Sequence, residues 1–554
     1  MKRVYIFLIL VHCFATLSLF AQQYRRPVKP TKNIILMIPD GTSIGVVSAA
    51  RWYQIYNKLG SSSLAIDPYI CGTVKTFSSN APIGDSAPTT SCYMTGQPQQ
   101  TGNVAIYPVA DPQNDLVPID PTSAYQPLAT ILEAVKYYQN KATGLVVTVE
   151  FPHATPADCS AHYYDRNNYK YIASQMAYNN LDVMFGGGTS ILTDDIRQHF
   201  KDTKTTLIED NLEAFKSFDG DGKLWALFCE KEHPYDLDRD AAKIPSLAEM
   251  TGKAIDQLSK NENGFFLMVE GSKVDWSAHG NDAVGCITEY LAFDKAVATA
   301  IDFAKKDRET TVVVLTDHGN SGFTIGNERS TKGYDKKTIN DLFHNVSQYK
   351  QTGEGLTKII EHSEPDQIQS IFKEHTNIDL TPDELALLQN AKRDKASSYT
   401  DVANSVNLES SIIKIMNSRT YFGFTTGGHT GEEILLAVYN PNGDVPMGLN
   451  TNMEINHYLF DATGLSTSLQ EMTKEVYAKH TDVLKELKYS IDKSTDFPIL
   501  TIKKGKDTLS IPAFKSIAYL NGKKIELKSV TVYIDKNDTF YIPQNIIDVF
   551  QTVN

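Results

Sequence analysis

The sequence predicts an α/β fold with a doubly wound, mostly parallel sheet and helices on both faces, plus a helical insertion and a small C-terminal β module. Two observations predict the sheet. Short apolar runs recur along the chain with amphipathic stretches between them, as is typical of strands buried on both faces. Several runs also end abruptly at an acidic residue or a histidine, the place where ligands bind in an open parallel sheet.

The stretch from Gly264 to His279, read as GFFLMVEGSKVDWSAH, shows the pattern best. Residues 265–269 form an apolar run, and Glu270 ends it. Asp275 and His279 follow at i and i+4, the spacing that places two side chains on one face of a helical turn. A carboxylate and an imidazole on one face can bind a divalent cation. Taken alone, the stretch is equally consistent with a charged loop and a surface His279.

The other elements follow in chain order. Apolar runs predict further strands at 34–38, 145–149, 182–185, 311–315 and 434–439. Amphipathic spacing predicts helices at 245–260 and 282–305. Residues 189–262 and 452–490 are expected to be mostly helical, and 328–415 to form a helical insertion or lid. A catalytic domain at 22–490 then precedes a β module at 495–554, where strands alternate with turns.

Polar residues follow three more of the predicted strands. Asp40 comes after 34–38, His153 and Thr155 after 145–149, and the pair Asp317–His318 after 311–315. Two of these residues also fit a purely structural role, since Asp40 can form a turn before glycine and Thr155 can cap a helix. Because the carboxyl ends of parallel strands lie along one edge of a sheet, we expect these side chains to meet there.

Two further residues have the chemistry of a phosphate site. Ser86, in Asp85-Ser86-Ala87, precedes a predicted helix, where a hydroxyl facing free N–H groups can attack phosphorus. The alternative is an ordinary helix cap. Arg166 is expected about three helical turns beyond Thr155 and can offer its planar fork to a phosphate, or else lie on a solvated helix face.

The count of cation ligands is the decisive feature. With His153 left aside, Asp275, His279 and His429 join the strand-end residues to give three histidines and four carboxylates. His429 alone, among glycines, would be interpreted as a loop histidine. So many ligands at one edge would repel one another unless cations lay among them. Histidine with carboxylate suits zinc, and carboxylate with hydroxyl suits magnesium.

With these motifs in hand, the sequence resembles the alkaline phosphatase family over about 32–330 and 420–480. The motifs occur in the family's order: D-S-A at 85–87, H-A-T-P-A at 153–157, V-E-G…D…H at 269–279, T-D-H at 316–318 and G-G-H-T at 427–430. The resemblance implies an alkaline-phosphatase-like fold and metal-dependent hydrolysis of phosphate monoesters through a phosphoserine, with two Zn²⁺ and one Mg²⁺ per chain.

The resemblance also implies a role for each motif residue. Ser86 would be the nucleophile and Arg166 the phosphate ligand, with His153 and Trp276 beside the substrate and tuning the metal environment. The implied metal ligands are Asp275, His279 and His429 for one zinc, Asp40, Asp317 and His318 for the second, and Asp40, Thr155 and Glu270 for magnesium.

The sequence departs from the family pattern at three positions of the motifs. Pro39 and Thr42 flank Asp40 in place of the usual glycine and methionine, with little expected effect on ligation. Trp276 replaces a lysine or histidine and so affects how tightly phosphate is held. The insertion lies outside the matched motifs, and the C-terminal module faintly resembles the β stalk domains of secreted enzymes.

Composition limits the partners and the compartment. A net charge of −13 makes nucleic acid and anionic membranes poor partners. Lys2 and Arg3 before a largely apolar stretch predict a signal peptide at 1–21, cleaved near Ala21, and therefore a periplasmic or secreted protein. No later segment is long and apolar enough to span a membrane. Five cysteines remain after cleavage, an odd number, and their spacing does not match a zinc site. For the assembly, we expect either a single chain or a homodimer.

Three rival functions share these features. A phosphodiesterase or a sulfatase can use the same fold, since fold does not fix function. The sulfatase motif needs an arginine that the run from Ser86 to Thr90 lacks, and diesterases generally lack the magnesium site. The third rival is a non-catalytic surface-binding protein that keeps its metals for structure, against which Ser86 argues.

Overall fold

The structure is a computed structural model that describes residues 28–391 and 398–551. The predicted signal peptide at 1–21 and its cleavage near Ala21 lie outside these residues. Among the helices of the two described segments, none combines the length and hydropathy needed to cross a bilayer.

A central sheet of ten strands organises the molecule. It contains β1–β8, β13 and β14, while β9–β12 form two small pairs beside it. The strands are β1 Asn33–Ile38, β2 Ile70–Lys75, β3 Ala142–Glu150, β4 Val183–Gly187, β5 Thr206–Glu209, β6 Leu224–Leu227, β7 Phe265–Glu270, β8 Thr310–Leu315, β9 Gly319–Asn320, β10 Thr324–Ile325, β11 Phe422–Gly423, β12 His429–Thr430, β13 Glu433–Tyr439 and β14 Gly448–Thr451.

The spatial order of the sheet is β14-β2-β13-β8-β1-β7-β3-β4-β6-β5. All neighbours are parallel except β13, which runs antiparallel to both β2 and β8. At the centre, Ile38 of β1 pairs with Glu270 of β7, and Met37 pairs with Val314 of β8. The predicted mostly parallel sheet with helices on both faces is therefore confirmed.

Eighteen α-helices lie in the described residues and cover the sheet on both faces. They are α1 Ile44–Asn57, α2 Ser86–Thr95, α3 Ile131–Gln139, α4 Ala154–Ser160, α5 Tyr169–Tyr178, α6 Asp194–Asp202, α7 Leu212–Ser217, α8 Leu247–Leu258, α9 Lys273–His279, α10 Ala283–Asp307, α11 Ile339–Phe343, α12 Gly353–Glu361, α13 Ile368–Thr376, α14 Pro382–Asn390, α15 Leu408–Ser418, α16 Asn452–Thr463, α17 Leu469–Val476 and α18 His480–Val483.

The alternation along β1 shows how the two faces are filled. Ile34, Leu36 and Ile38 pack into one core with residues of α2 and α16. Ile35 and Met37 point the other way into a second core with α8 and α10. Successive strand residues point to opposite faces, so a wholly apolar strand requires apolar cover on both sides.

Local sequence explains several boundaries. The helix predicted at 245–260 forms as α8, where Ser246 and Glu249 make a reciprocal capping box. Asp282 caps α10 by accepting from the N–H groups of Val284 and Gly285. The prediction that 189–262 is mostly helical is wrong, because helices α6, α7 and α8 and one 3₁₀ turn cover less than half of the stretch, and β5, β6 and irregular chain make up the rest. Each of these two strands has only four residues, too few for a clear alternating pattern.

The C-terminal part forms two small antiparallel sheets. Five strands make one sheet in the order β16-β17-β18-β19-β20, and β15, β22 and β21 make the other. They are β15 Ala478–Lys479, β16 Lys488–Asp492, β17 Ile499–Lys504, β18 Asp507–Pro512, β19 Ile517–Leu520, β20 Lys523–Glu526, β21 Val532–Ile534 and β22 Thr539–Ile542. The sheet thus begins at Lys488, before the predicted boundary at 495.

The small sheets pack closely against the rest of the chain. Phe514 stacks on Tyr171 of α5 with ring centroids 4.3 Å apart. Ser174 donates a hydrogen bond to the Phe514 carbonyl at 2.9 Å. The helical insertion likewise forms, as α11–α15. The division into 22–490 with an insertion at 328–415 and a module at 495–554 stays a prediction about folding units.

Candidate active site

The polar strand ends meet at one edge of the sheet, as the sequence predicts. In the order β8-β1-β7-β3, four adjacent parallel strands end beside one another. Asp317 follows β8, Asp40 follows β1, Glu270 ends β7, and His153 follows β3. The strand β13 is antiparallel to β8, so its first residues lie at this same edge and bring His429, just before it, to the site.

The first cluster of cation ligands consists of Asp40, Asp317 and His318, all buried. His318 Nε2 lies 3.4 Å from Asp40 Oδ1 and 3.5 Å from Asp317 Oδ2. Three donors hold the other oxygen of Asp317: the N–H groups of Gly41 and His318 and the Thr316 hydroxyl. Asp317 Oδ2 therefore stays directed at the cluster.

The second cluster consists of Asp275, His279 and His429. Asp275 Oδ2 lies 3.4 Å from His279 Nε2, and Asp275 Oδ1 lies 3.6 Å from His429 Nε2. Asn320 fixes Asp275 by donating to Oδ1 at 2.7 Å. A β-carbon on Gly41, which has a φ of +57°, would lie 2.2 Å from Asp275 Oδ1, so only glycine fits beside this cluster.

The ring orientation of the three cluster histidines follows a single rule. His279, His318 and His429 each donate Nδ1–H to a backbone carbonyl, those of Gly427, Gly319 and Gly84, at 2.8, 3.1 and 2.9 Å. A carbonyl can only accept, so Nδ1 carries the hydrogen and the Nε2 lone pair faces the cluster. This is the tautomer that backbone partners impose on metal-binding histidines.

A third group of oxygen ligands adjoins the first cluster. Glu270 is fully buried, and Thr155 and Asp40 lie close enough to lower its pKa, which burial nevertheless raises to about 8. Within the described residues, Asp40 Oδ2, Thr155 Oγ1 and both Glu270 oxygens lack a hydrogen bond of normal geometry. Buried polar atoms rarely lack a hydrogen-bond partner. Carboxylate and hydroxyl oxygens together suit magnesium.

Ser86 lies at the first position of α2, with Asp85 as the N-cap. Its hydroxyl lies 3.3 Å from His318 Nε2 and 3.5 Å from Asp40 Oδ1. The Ser86 hydroxyl therefore lies at a helix N-terminus and beside a carboxylate–imidazole cluster, a position typical of an activated nucleophile. Asp85 makes no side-chain cap hydrogen bond to the helix, so the capping alternative does not describe this segment.

Arg166, His153 and Trp276 surround the same space. Arg166 donates through Nη1 to Asp85 Oδ1 at 2.8 Å and through Nη2 to His153 Nε2 at 3.3 Å. The Arg166–Asp85 pair lowers the pKa of Asp85 even though burial acts to raise it. Burial first, and Arg166 second, lower the pKa of His153 to about 3. The His153 ring meets the Trp276 ring edge-on at 6.1 Å.

The charges at this edge are unbalanced. Burial raises the pKa of Asp40 well above its ordinary value, and the neighbouring Asp317 raises it further. Burial alone would also raise the pKa of Asp275, but His279 and His429 lower it to about 2. A cation among these carboxylates would relieve their mutual repulsion.

Comparison with known proteins identifies the family. The alkaline phosphatase family model matches residues 31–465. The chain belongs to the alkaline phosphatase family. It is 31% identical over 444 residues to alkaline phosphatase 3 of Bacillus subtilis, which covers 78% of this chain and 88% of that protein. Alkaline phosphatase 4 of the same organism is 32% identical over 442 residues, covering 77% and 88%.

Solved alkaline phosphatases share the fold. The cold-active enzyme of Shewanella sp. has a TM-score of 0.66 at 26% identity, covering 78% of this chain and 99% of that one. The Thermus thermophilus enzyme has a TM-score of 0.69 at 22% identity, covering 81% and 96%, which shows the fold alone. Membership of the family makes the chain a phosphoric monoester hydrolase.

Two expectations about local structure at this alkaline phosphatase site are wrong. Thr155 does not cap α4, because His153 is the N-cap and Thr155 lies inside the first turn. Arg166 is not on a helix, because α4 ends at Ser160 and the chain turns there. The backbone N–H of Arg166 instead donates to the Gly102 carbonyl at 2.9 Å, which fixes the turn that points the guanidinium inward.

Sequence reasoning missed three residues of the candidate site. Asn320 holds Asp275, and its position two residues after His318 was the available signal. Lys273 is wholly buried, with its ammonium 4.7 Å from the Trp276 ring centroid. Tyr399 stacks on Trp276 at 4.3 Å, and nothing in the polar insertion around it marked it in advance.

Proposed function

We propose that the chain hydrolyses phosphate monoesters through a phosphoserine intermediate on Ser86, with two zinc ions and one magnesium ion per chain. The observation that carries the proposal is the Ser86 hydroxyl, 3.3 Å from His318 Nε2 at the edge of the Asp40–Asp317–His318 cluster. Family membership supplies the reaction class, and the placement of Ser86 supplies the nucleophile.

The residues present fit the metals. Asp275, His279 and His429 would hold one zinc, and Asp40, Asp317 and His318 the other, since imidazole and carboxylate suit this ion. Asp40, Thr155 and Glu270 would hold magnesium. The inward-facing Nε2 lone pairs and the unpartnered Asp40, Thr155 and Glu270 oxygens support this assignment. When bound, the metals supply Lewis acidity that activates a hydroxyl and stabilises developing negative charge.

A relative offers support for the third site. A variant of the alkaline phosphatase from the Antarctic bacterium TAB5, solved with Mg bound in its site called M3, has a TM-score of 0.55 and 25% identity to this chain. The group of Asp40, Thr155 and Glu270 is the candidate site of corresponding chemistry here, because it offers oxygen ligands only.

The protein's own residues perform the substrate steps. Ser86 Oγ attacks phosphorus as its proton leaves, the bond from phosphorus to the alcohol oxygen breaks, and the alcohol departs with a proton. A water then attacks phosphorus and gives up a proton, the Ser86 Oγ–phosphorus bond breaks, Ser86 Oγ regains a proton, and inorganic phosphate leaves. Arg166, held by Asp85 at 2.8 Å, presents its planar fork to two non-bridging oxygens.

Location and assembly are part of the proposal. The predicted signal peptide at 1–21 supports a periplasmic or secreted enzyme, in which zinc and magnesium would be acquired outside the cytoplasm. A homodimer remains the proposed assembly. Small phosphate monoesters are the proposed substrates, and the net charge of −13 again argues against nucleic acid as a partner.

The test is turnover of p-nitrophenyl phosphate combined with trapping of the intermediate. Enzyme quenched in acid during turnover should carry one phosphoryl group on the peptide that contains Ser86. Ser86→Ala should lose the label and at least about a thousandfold of the rate. Ser62→Ala, in an exposed loop, is the control and should retain both. Near-normal turnover in a metal-loaded Ser86→Ala protein would exclude Ser86 as the nucleophile.

A further inference from the structure

The insertion delivers one side chain, Tyr399, to the phosphate site. Tyr399 begins a short 3₁₀ helix, Tyr399–Asn404, ahead of α15. Its ring lies parallel to that of Trp276, with centroids 4.3 Å apart and planes at 8°. Its edge also meets the His279 ring at 5.6 Å. These contacts place the ring at the mouth of the metal clusters.

Two contacts anchor this 3₁₀ segment: that of Ala403 with Gly427, and that of the Tyr399 ring with Trp276. Ala403 packs so closely on Gly427 that a β-carbon on the glycine would lie 2.7 Å from the Ala403 side chain. Gly427 is the residue whose carbonyl accepts from His279 Nδ1. Trp276 is supported in turn by the buried ammonium of Lys273 at 4.7 Å. Tyr399 is thus held by the same framework that orients a proposed metal ligand.

The hydroxyl of Tyr399 competes with Arg166 for one acceptor. Tyr399 Oη lies 3.5 Å from His153 Nε2, and Arg166 Nη2 lies 3.3 Å from the same atom. A guanidinium has no acceptor, so Nε2 faces Arg166 with its single lone pair. That lone pair satisfies one donor, and both contacts are long for hydrogen bonds. The site therefore has more donors than acceptors between Tyr399 and Arg166.

A phosphate group would supply the missing acceptors. Its non-bridging oxygens are strong acceptors, and the Arg166 fork is directed at them in the proposed function. A tyrosine hydroxyl, with an ordinary pKa of about 10, is a neutral hydrogen-bond donor below that pH. We infer that Tyr399 is a substrate-contacting residue, whose hydroxyl donates a hydrogen bond to a non-bridging oxygen of the phosphoryl group that Arg166 holds.

This inference rests on the proposed function for the identity of the ligand, and it assigns a role to the insertion. The contact involves a non-bridging oxygen present in substrate, intermediate and product. It should therefore stabilise bound substrate and bound inorganic phosphate to a similar extent, and so change KM and the phosphate inhibition constant more than kcat.

Tyr399→Phe tests the inference because it keeps the ring on Trp276 and removes only the hydroxyl. In protein loaded with zinc and magnesium, KM for p-nitrophenyl phosphate and the dissociation constant of inorganic phosphate, measured by calorimetry, should each rise about tenfold, the loss expected for one hydrogen bond to a charged group. Tyr334→Phe, at an exposed position of the same insertion, should match the wild type.

The outcomes separate this inference from the proposed function. An active wild type whose phosphate affinity is unchanged in Tyr399→Phe overturns the contact and leaves the phosphatase assignment intact. A defect confined to kcat, with phosphate affinity unchanged, also overturns it, because that result indicates a structural role. A wild type that binds phosphate through Tyr399 but turns over no monoester keeps the contact and overturns the proposed function.

Discussion

His279 Nε2 and His429 Nε2 lie 3.0 Å apart, although each ring donates its N–H hydrogen, on Nδ1, to a backbone carbonyl. Two lone pairs that face each other at this distance repel. Asp275 lies within 3.6 Å of both nitrogens, so the arrangement has the ligands of a cation on three sides. The distance therefore reports a site built for a metal, and it leads to the first prediction.

We predict two zinc ions and one magnesium ion per chain by elemental analysis of active protein. A chelator should abolish phosphatase activity, because it removes the metals that the imidazole and carboxylate ligands hold. Zinc with magnesium should restore the activity, because these ligands bind zinc again. The thermal midpoint should also fall on chelation, since a ligand that binds only the folded state stabilises it. Active protein with one metal or none would contradict the stoichiometry.

Thr155→Val is predicted to remove magnesium selectively. Valine has nearly the shape of threonine but lacks the oxygen that the proposed Asp40–Thr155–Glu270 site offers. Zinc content should stay at two per chain, because Thr155 belongs to neither imidazole cluster. The measurement is metal content after dialysis against limiting magnesium. Thr425→Val, on the exposed loop near the site, is the control and should keep all three ions.

Arg166→Ser is predicted to narrow the preference for monoesters over diesters. A monoester presents more charge and more non-bridging oxygens to the Arg166 fork than a diester does. The value of kcat/KM should fall about 100-fold or more for p-nitrophenyl phosphate and much less for bis-p-nitrophenyl phosphate. Both proteins must be fully metal-loaded. Equal losses on the two substrates would show that Arg166 is a structural residue.

Glu133→Gln is predicted to destabilise the fold, although Glu133 lies outside the candidate active site. Glu133 is buried and accepts from Tyr477, Asn179 and the Thr130 N–H, with His162 Nε2 at 3.0 Å. Loss of the charged acceptor should cost about 1 to 3 kcal/mol of unfolding free energy. Denaturant unfolding at constant metal concentration measures it, with exposed Glu262→Gln as the control.

The same residue gives a pH signature. Burial acts to raise the pKa of Glu133, but His162, the Thr130 N–H and the Tyr477 hydroxyl together hold the pKa below its ordinary value of 4.5. A carboxylate with a lowered folded pKa stabilises the protein above its unfolded pKa, and this contribution is lost as the pH falls through the folded value. The difference in stability between wild type and Glu133→Gln should therefore shrink below about pH 4.5. A difference independent of pH would exclude Glu133 ionisation as its source.

The fold was largely predictable because its central strands are buried on both faces. Five largely apolar runs appear as β1, β3, β7, β8 and β13, each within three residues of the predicted limits. The parallel direction of β1, β3, β7 and β8 places their carboxyl ends together, so the meeting of Asp40, Glu270 and Asp317 followed from the pattern. The short strands β5 and β6, at one side of the sheet, were not predicted because four residues give no clear periodicity.

The rest of the site depends on turns, which the periodic spacing of apolar residues does not predict. Arg166 reaches it because the chain turns after α4 and its N–H meets the Gly102 carbonyl. Tyr399 reaches it from an insertion whose local sequence is polar. Lys273 is buried by the Tyr235 and Trp276 rings, at 3.9 and 4.7 Å, a tertiary arrangement. These positions are set by packing between distant segments, to which a single sequence gives no direct access.

The placement of β13 between β2 and β8 affects how the enzyme matures. β2 joins the sheet only through β13 and β14, so residues 70–75 wait unpaired during synthesis until residue 439 has emerged. His429, the last proposed ligand, arrives with the same strand. Completion of the sheet and of the metal clusters is therefore a single late event, and such an enzyme should gain activity in one step, after at least the first 439 of its 554 residues have been made.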